Sequence, residues 1–135
     1  MPVGLTKDAG WEIGISRTVH HPIEKVWATL SSDDGVATWL GEGVDLPMEP
    51  GESYTTADGT HGEIRSCRPN DRIRLTWQPA GWSHDSTVQV ALSRAASGTT
   101  VRFHQERLAD AKERERQRKH WTAVLDRFLD LLGDP

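Results

Sequence analysis

The sequence has a single cysteine, Cys67, among 135 residues, so no internal disulfide can form. A small buried or half-buried thiol in a reduced compartment is the expectation. Six His are present, yet no Cys-x-x-Cys and no His-Glu-x-x-His occurs, so no zinc site and no other metal is expected. His20-His21 reads as a solvated pair at a strand end. No Gly-x-Ser-x-Gly elbow is present, which removes that class of nucleophile. His61 and Cys67 fall on one face of one strand, but roughly 20 Å apart along it, too far for a dyad. No apolar run approaches the roughly 20 residues of a membrane span. The start, MPVGLTKDAGW, lacks a basic region followed by a long apolar stretch, so no signal peptide is expected and a cytoplasmic setting is. A basic excess is missing too: 16 Lys+Arg face 20 Asp+Glu, a net charge of -4, which argues against a general nucleic-acid binder.

What is there is tryptophan. Six in 135 residues is an aromatic content that disordered chains lack, although only 36% of the residues are apolar. The length fits one domain, residues 1–135, with residues 1–10 as a loose lead-in. From Trp11 the pattern alternates, with Trp11, Ile13, Ile15, Arg17 and Val19 on one face, a half-buried strand. Pro22 suits a first helical turn, and Ile23, Val26, Trp27 and Leu30 share one helical face. Ser31-Ser32-Asp33 offers caps for a second short helix ending near Trp39. Strands are then expected at 43–48, around Tyr54, at 61–68, at 72–78, through Val88–Leu92 and through Val101–Gln105. Turns fall at Pro50-Gly51, Asp58-Gly59, Pro69-Asn70, Pro79-Ala80-Gly81 and Ser97-Gly98.

The chain closes with a helix from Asp110 to Leu132, stopped by Gly133. Trp121, Val124, Leu125, Phe128, Leu129, Leu131 and Leu132 share one arc, and Asp126, Arg127 and Asp130 lie opposite. The arc continues backwards through Gln117 and Arg114, where it turns polar. Glu115 and Lys119 make a favourable pair on the solvated side. The whole is an α+β domain: a curved antiparallel sheet of about seven strands around a long C-terminal helix, with two short helices after the first strand. Such a sheet often leaves a cavity against its helix.

Several stretches carry a resemblance: Ile23-Glu24-Lys25-Val26-Trp27-Ala28-Thr29-Leu30 after a first strand, Trp39, Gly51, Gly62-Glu63-Ile64, and Arg72-Ile73-Arg74-Leu75-Thr76-Trp77. Gly98-Thr99-Thr100-Val101-Arg102-Phe103-His104-Gln105 and the terminal helix with His120-Trp121 complete the set. In this order they resemble the Bet v 1/START-like (SRPBCC) helix-grip superfamily, and within it the bacterial relatives of the Hsp90-ATPase activator C-terminal domain. The resemblance implies a helix-grip fold. Its members include lipid and hormone carriers, polyketide cyclases, aromatase-like proteins and co-chaperone domains. The eukaryotic activators carry a further N-terminal domain, which is not expected here, and neither is direct Hsp90 activation.

The expected function is binding of a small hydrophobic or amphipathic molecule between sheet and helix. Its lining would be Ile15, Arg17, Trp27, Trp39, Tyr54, Leu75, Trp77, Phe103, Gln105, Arg114, Gln117, Trp121, Leu125 and Phe128. Arg114 and Gln117 would stand at the entrance. A filled core would instead favour a protein-interaction or co-chaperone-like module. A cyclase- or dehydratase-like enzyme is the third reading, with Arg17, Tyr54, His61, Glu63, Gln105 and Glu106 as polar candidates. No catalytic residue and no cofactor is assigned, a monomer or dimer is expected, and Trp82, in a loop, reads as a mouth or interface residue.

Overall fold

The computed structural model describes residues 5–6 and 10–133. Seven strands form one sheet: β1 (Leu5–Thr6), β2 (Gly10–Val19), β3 (Ser53–Thr55), β4 (His61–Arg68), β5 (Arg72–Trp77), β6 (Ser86–Ala95) and β7 (Gly98–Leu108). Three helices accompany them: α1 (Ile23–Leu30), α2 (Asp33–Trp39) and α3 (Ala111–Leu132). The sheet order is β1-β2-β7-β6-β5-β4-β3, and every neighbouring pair is antiparallel. Strands β3 to β7 follow one another as a meander, and β2 returns to lie beside β7. Helix α3 lies on the inner face and packs against β2, β7, α1 and α2. This is the helix-grip arrangement.

Two elements differ from the expectation. Residues 43–48 form no strand. Val44 is buried and Leu46 and Met48 pack against the core, so the alternation is real, but it belongs to a loop. Pro47 and Pro50 lack the N–H groups a ladder needs, which is why the segment touches the core without pairing. A short strand, Leu5–Thr6, instead pairs with β2 inside the segment read as a loose lead-in; residues 1–4 and 7–9 of that lead-in lie outside the described residues.

Local chemistry explains the helices. Pro22 is the N-cap of α1, one place before the first turn, and leaves Ile23, Val26 and Leu30 buried. Ser32 caps α2, its Oγ accepting from Gly35 N at 3.1 Å. Gly35 is required: a Cβ there would stand 1.8 Å from the Thr29 carbonyl oxygen, so only glycine lets α2 turn so tightly against α1. Trp39 Nε1 donates to the Leu30 carbonyl at 3.0 Å and ties the two short helices together. Asp110 caps α3 by accepting from Glu113 N at 2.8 Å, and the Glu113 carboxylate accepts from Ala109 N at 3.1 Å. Both ends of the α3 entry are thereby satisfied. On the solvated side Glu115 pairs with Arg118, at 2.6 Å, rather than with Lys119.

Two further positions depart from the sequence reading. His21 is buried, not solvated: its Nε2–H donates to the Gly133 carbonyl at 2.9 Å and holds the end of α3. Leu131, at the edge of the expected apolar arc, is 38% exposed, while Leu132 in the same turn is buried.

Candidate functional site

Most residues expected to line a cavity meet one another. Trp39, Leu75, Trp77, Phe103, Gln105, Gln117, Trp121, Leu125 and Phe128 are all buried. Phe103 and Trp121 stack with ring centroids 5.3 Å apart, Trp77 and Trp121 lie 5.9 Å apart, and Phe128 sits edge-on to Phe103 at 6.5 Å. Gln105, on the inner face of β7, joins this group through its amide. Its Oε1 accepts from Trp121 Nε1 at 2.7 Å and from Gln117 Nε2 at 3.0 Å, and its Nε2 donates to Ser86 Oγ at 2.8 Å. Ser86 Oγ donates in turn to the Trp77 carbonyl at 2.8 Å. A polar group buried at this depth costs stability unless it is hydrogen-bonded, and here Gln105 is. The middle of the sheet–helix interface is therefore packed with side chains.

The other expected lining residues lie elsewhere. Arg17 is exposed: near the end of β2 its long stem carries the guanidinium to water, where it donates to the Ser16 carbonyl at 3.0 Å. Its place on the inward side of the alternation is thus overridden. Ile15 and Trp27 are half-buried at the rim of the core. Arg114 Nε donates to the Glu12 carbonyl at 2.7 Å, so it fastens α3 to β2. Tyr54 is buried, its hydroxyl donating to the Thr76 carbonyl at 2.6 Å, and burial pushes that hydroxyl's pKa far up. It stays a neutral phenol. Of the polar candidates for acid–base work, His61 is exposed, Glu63 pairs with Arg65 at 3.0 Å, and Glu106 pairs with Arg74 at 2.5 Å. Cys67 is half-buried against the core.

A cleft of about 190 Å³ lies open at one end of the packed interior. Trp39 and Gly41 contribute to it from the end of α2, Asp58 and Thr60 from the β3–β4 hairpin, Trp77 from β5, and His120 and Arg127 from α3. The hairpin is shaped by its own residues: Thr60 N donates to Thr56 Oγ1 at 3.1 Å, and the Thr56 hydroxyl donates to the Asp58 carboxylate. That bond from Thr56 holds the Asp58 carboxyl below its usual range. Burial, with Arg127 nearby, pushes the His120 pKa below its ordinary value, so at neutral pH the ring is uncharged.

Two of the residues lining this cleft carry an unusual nitrogen. His120 Nε2 and Trp77 Nε1 are both buried and have no hydrogen-bond partner among the described residues. Their rings lie 5.8 Å apart. Each unmade bond costs about 1–3 kcal/mol. An indole N–H can only donate, whereas a neutral imidazole offers one donor and one acceptor. Together with the apolar faces of Trp39 and Trp77, they suit a small molecule with an apolar body and a polar end. Trp82 covers Trp77 from outside, edge-on at 5.4 Å, and stacks on His84 at 4.9 Å. His84 Nε2 lies 2.8 Å from the Glu113 carboxylate.

Of these residues the sequence reading placed Trp39 and Trp77 at the site and missed His120, Asp58, Thr60 and Arg127. His120 adjoins Trp121 at the edge of the apolar stripe, a signal that was present. Arg127 lies on the polar side by angle and reaches the cleft through its length. Asp58 and Thr60 carried no periodic signal, since a turn has none.

No helix among the described residues is long and apolar enough to cross a membrane. Among curated proteins, none matches the chain by sequence. Solved structures do resemble it. CalU16 from Micromonospora echinospora aligns with a TM-score of 0.79 at 22% identity, over 95% of this chain and 70% of that one. Protein CV1439 from Chromobacterium violaceum aligns with a TM-score of 0.75 at 22% identity, over 92% and 98%. The Aha1 dimer from Colwellia psychrerythraea aligns with a TM-score of 0.70 at 19% identity, over 90% and 95%. At these identities the likeness is one of fold. The sequence itself matches a family model over residues 20–133, and the chain belongs to that family, described as Activator of Hsp90 ATPase homolog 1-like protein.

Proposed function

We propose that this domain binds a small amphipathic molecule in the cleft between Trp39, Trp77 and His120. The observation that carries the reading is the pair of buried, unpartnered nitrogens, His120 Nε2 and Trp77 Nε1, on residues that wall the same cleft. The ligand is small. Pockets for drug-sized molecules run from about 300 to 1,000 Å³, and this cleft holds about 190 Å³. It presents an apolar or aromatic body to Trp39 and Trp77, with a hydroxyl or carbonyl toward the two nitrogens. A single-domain, cytoplasmic binding protein, monomeric or dimeric, fits this reading.

Native mass spectrometry of the freshly purified protein, against its denatured mass, tests it. A non-covalent addition that disappears in Trp39→Ala supports it. No addition, together with no effect of added phenol on the tryptophan spectra, overturns it.

A second reading has its own support. Gln105, Phe103, Trp121 and Phe128 fill the space a larger ligand would need. A filled interior suits a protein-interaction module acting through its surface, as in a co-chaperone. Capture of a partner whose binding is unchanged in Trp39→Ala would favour it.

A further inference from the structure

The outer face of the sheet, turned away from α3, has a feature that the cleft does not use. In strand register Gly14, His104, Gln89 and Arg74 form one row across β2, β7, β6 and β5, and Ser16, Arg102, Ala91 and Arg72 form the next. Gly14 and Ala91 are the members with the least side chain. A depression of about 320 Å³ lies here, lined by Arg74, Gln89, Ala91, Arg102 and His104. The Arg102 guanidinium lies across Gly14, where a Cβ would come within 2.6 Å of its Nη2. The seat for that side chain exists because residue 14 has none.

The cations here exceed what the acids use. Arg74 donates to Glu106 at 2.5 Å and to Gln89 Oε1 at 3.3 Å. That bond engages the Gln89 amide oxygen, and its NH₂ has no partner among the described residues. His104 Nε2 lies 3.6 Å from the Glu12 carboxylate. Arg102 has no hydrogen-bond or ion-pair partner among the described residues, and the Nε of Arg72 is buried without one. Three guanidinium groups thus stand with two carboxylates, in a chain whose net charge is -4. Glu12, His104 and Glu106 bring ligand-type atoms within 4.8 Å of one another, the spacing of a metal site. Arg74 already holds Glu106, however, and the surrounding guanidiniums repel a dication.

We propose that this depression is an anion site for a phosphate group, bound through the Arg102 fork and the Gln89 amide, with His104 and Arg74 as its walls. A planar guanidinium presents paired donors that match phosphate oxygens. The small floor at Ala91 leaves room for the organic part of a phosphate monoester. The site is separate from the cleft and does not rest on the proposed function.

The test is a titration of ¹⁵N-labelled full-length protein followed by NMR, at low ionic strength because screening weakens such pairs. The probes are inorganic phosphate and phenyl phosphate. Saturable shifts at Gln89, Ala91, Arg102 and His104 are expected. Tighter binding of phenyl phosphate would identify an organic monoester as the ligand source, and equal binding the free ion. Arg102→Gln keeps donors without the charge, and Arg102→Glu reverses it. Binding should weaken at least about tenfold in both, the ratio a lost charge-assisted bond gives. Arg116→Glu makes the same charge reversal on exposed α3 and should leave binding unchanged. Absence of saturable shifts, equal weakening in Arg116→Glu, or shifts with zinc chloride and none with phosphate would overturn the proposal.

Discussion

Gln105 Oε1 accepts the Trp121 indole N–H at 2.7 Å, and this bond joins the last strand to the last helix in the middle of the molecule. The same oxygen takes Gln117, and the same amide reaches Ser86. One glutamine thus satisfies three neighbours where a ligand cavity was expected. Replacing it with a residue of similar size removes all three bonds. Gln105→Leu should cost at least about 1–3 kcal/mol, the penalty for buried groups left unpaired. Urea denaturation measures this, and an unchanged midpoint would show the network to be dispensable.

Gly35→Ala sets two effects against each other. Helix propensity favours alanine by about 1 kcal/mol. The new Cβ would stand 1.8 Å from the Thr29 carbonyl oxygen, which forces α2 away from α1. Overpacking costs typically about 1–3 kcal/mol. The clash wins, and thermal melting should fall rather than rise.

The two half-buried histidines near the cleft should titrate in opposite directions. Burial, then Arg127, depresses His120. Burial lowers His84 too, but the Glu113 hydrogen bond and Asp85 outweigh it, so the net shift is upward. NMR titration of the rings should place His120 below and His84 above the ordinary value of about 6.5. The consequences for stability are opposite. The neutral His120 contributes stability that is present above the unfolded pKa and lost as pH falls through the folded one. The His84 contribution is full below the unfolded pKa and lost as pH rises through the folded one. Arg127→Gln should move the His120 titration upward; no movement would remove Arg127 as a cause.

Trp82→Ala should uncover Trp77. An edge-on aromatic pair is worth about 0.5–1.5 kcal/mol beyond its burial, and Trp82 and Trp77 form one at 5.4 Å. Stability should fall by at least that amount, and acrylamide quenching of tryptophan fluorescence should increase per remaining tryptophan. Unchanged quenching would mean that Trp82 covers nothing.

Much of this architecture was legible in the sequence. The α3 span was read within one residue, with Gly133 as its stop, and the meander followed from its Gly- and Pro-marked turns. Residues 43–48 misled because alternation reports contact with a core, and a loop anchored by Val44 makes that contact without a ladder. Period-2 reasoning put Gln105 inward correctly, yet it could not say whether an inward residue faces a void or another side chain. That depends on the sum of volumes across the interface, which no single strand's pattern contains. The cleft was half legible: Trp39 and Trp77 announced themselves as inward aromatics. His120, Arg127 and the hairpin residues were joined to them only by the fold.

The most direct test of the central claim is an NMR titration of protein labelled with ¹⁵N at the tryptophan indoles, with phenol as the probe. Phenol combines an aromatic ring with a hydroxyl that accepts and donates. The account predicts that the Trp77 indole N–H shifts saturably, that His120→Ala weakens the response, and that the Trp121 indole, already bonded to Gln105, stays in place. A Trp77 signal unmoved by phenol, or one that moves equally in His120→Ala, would contradict it.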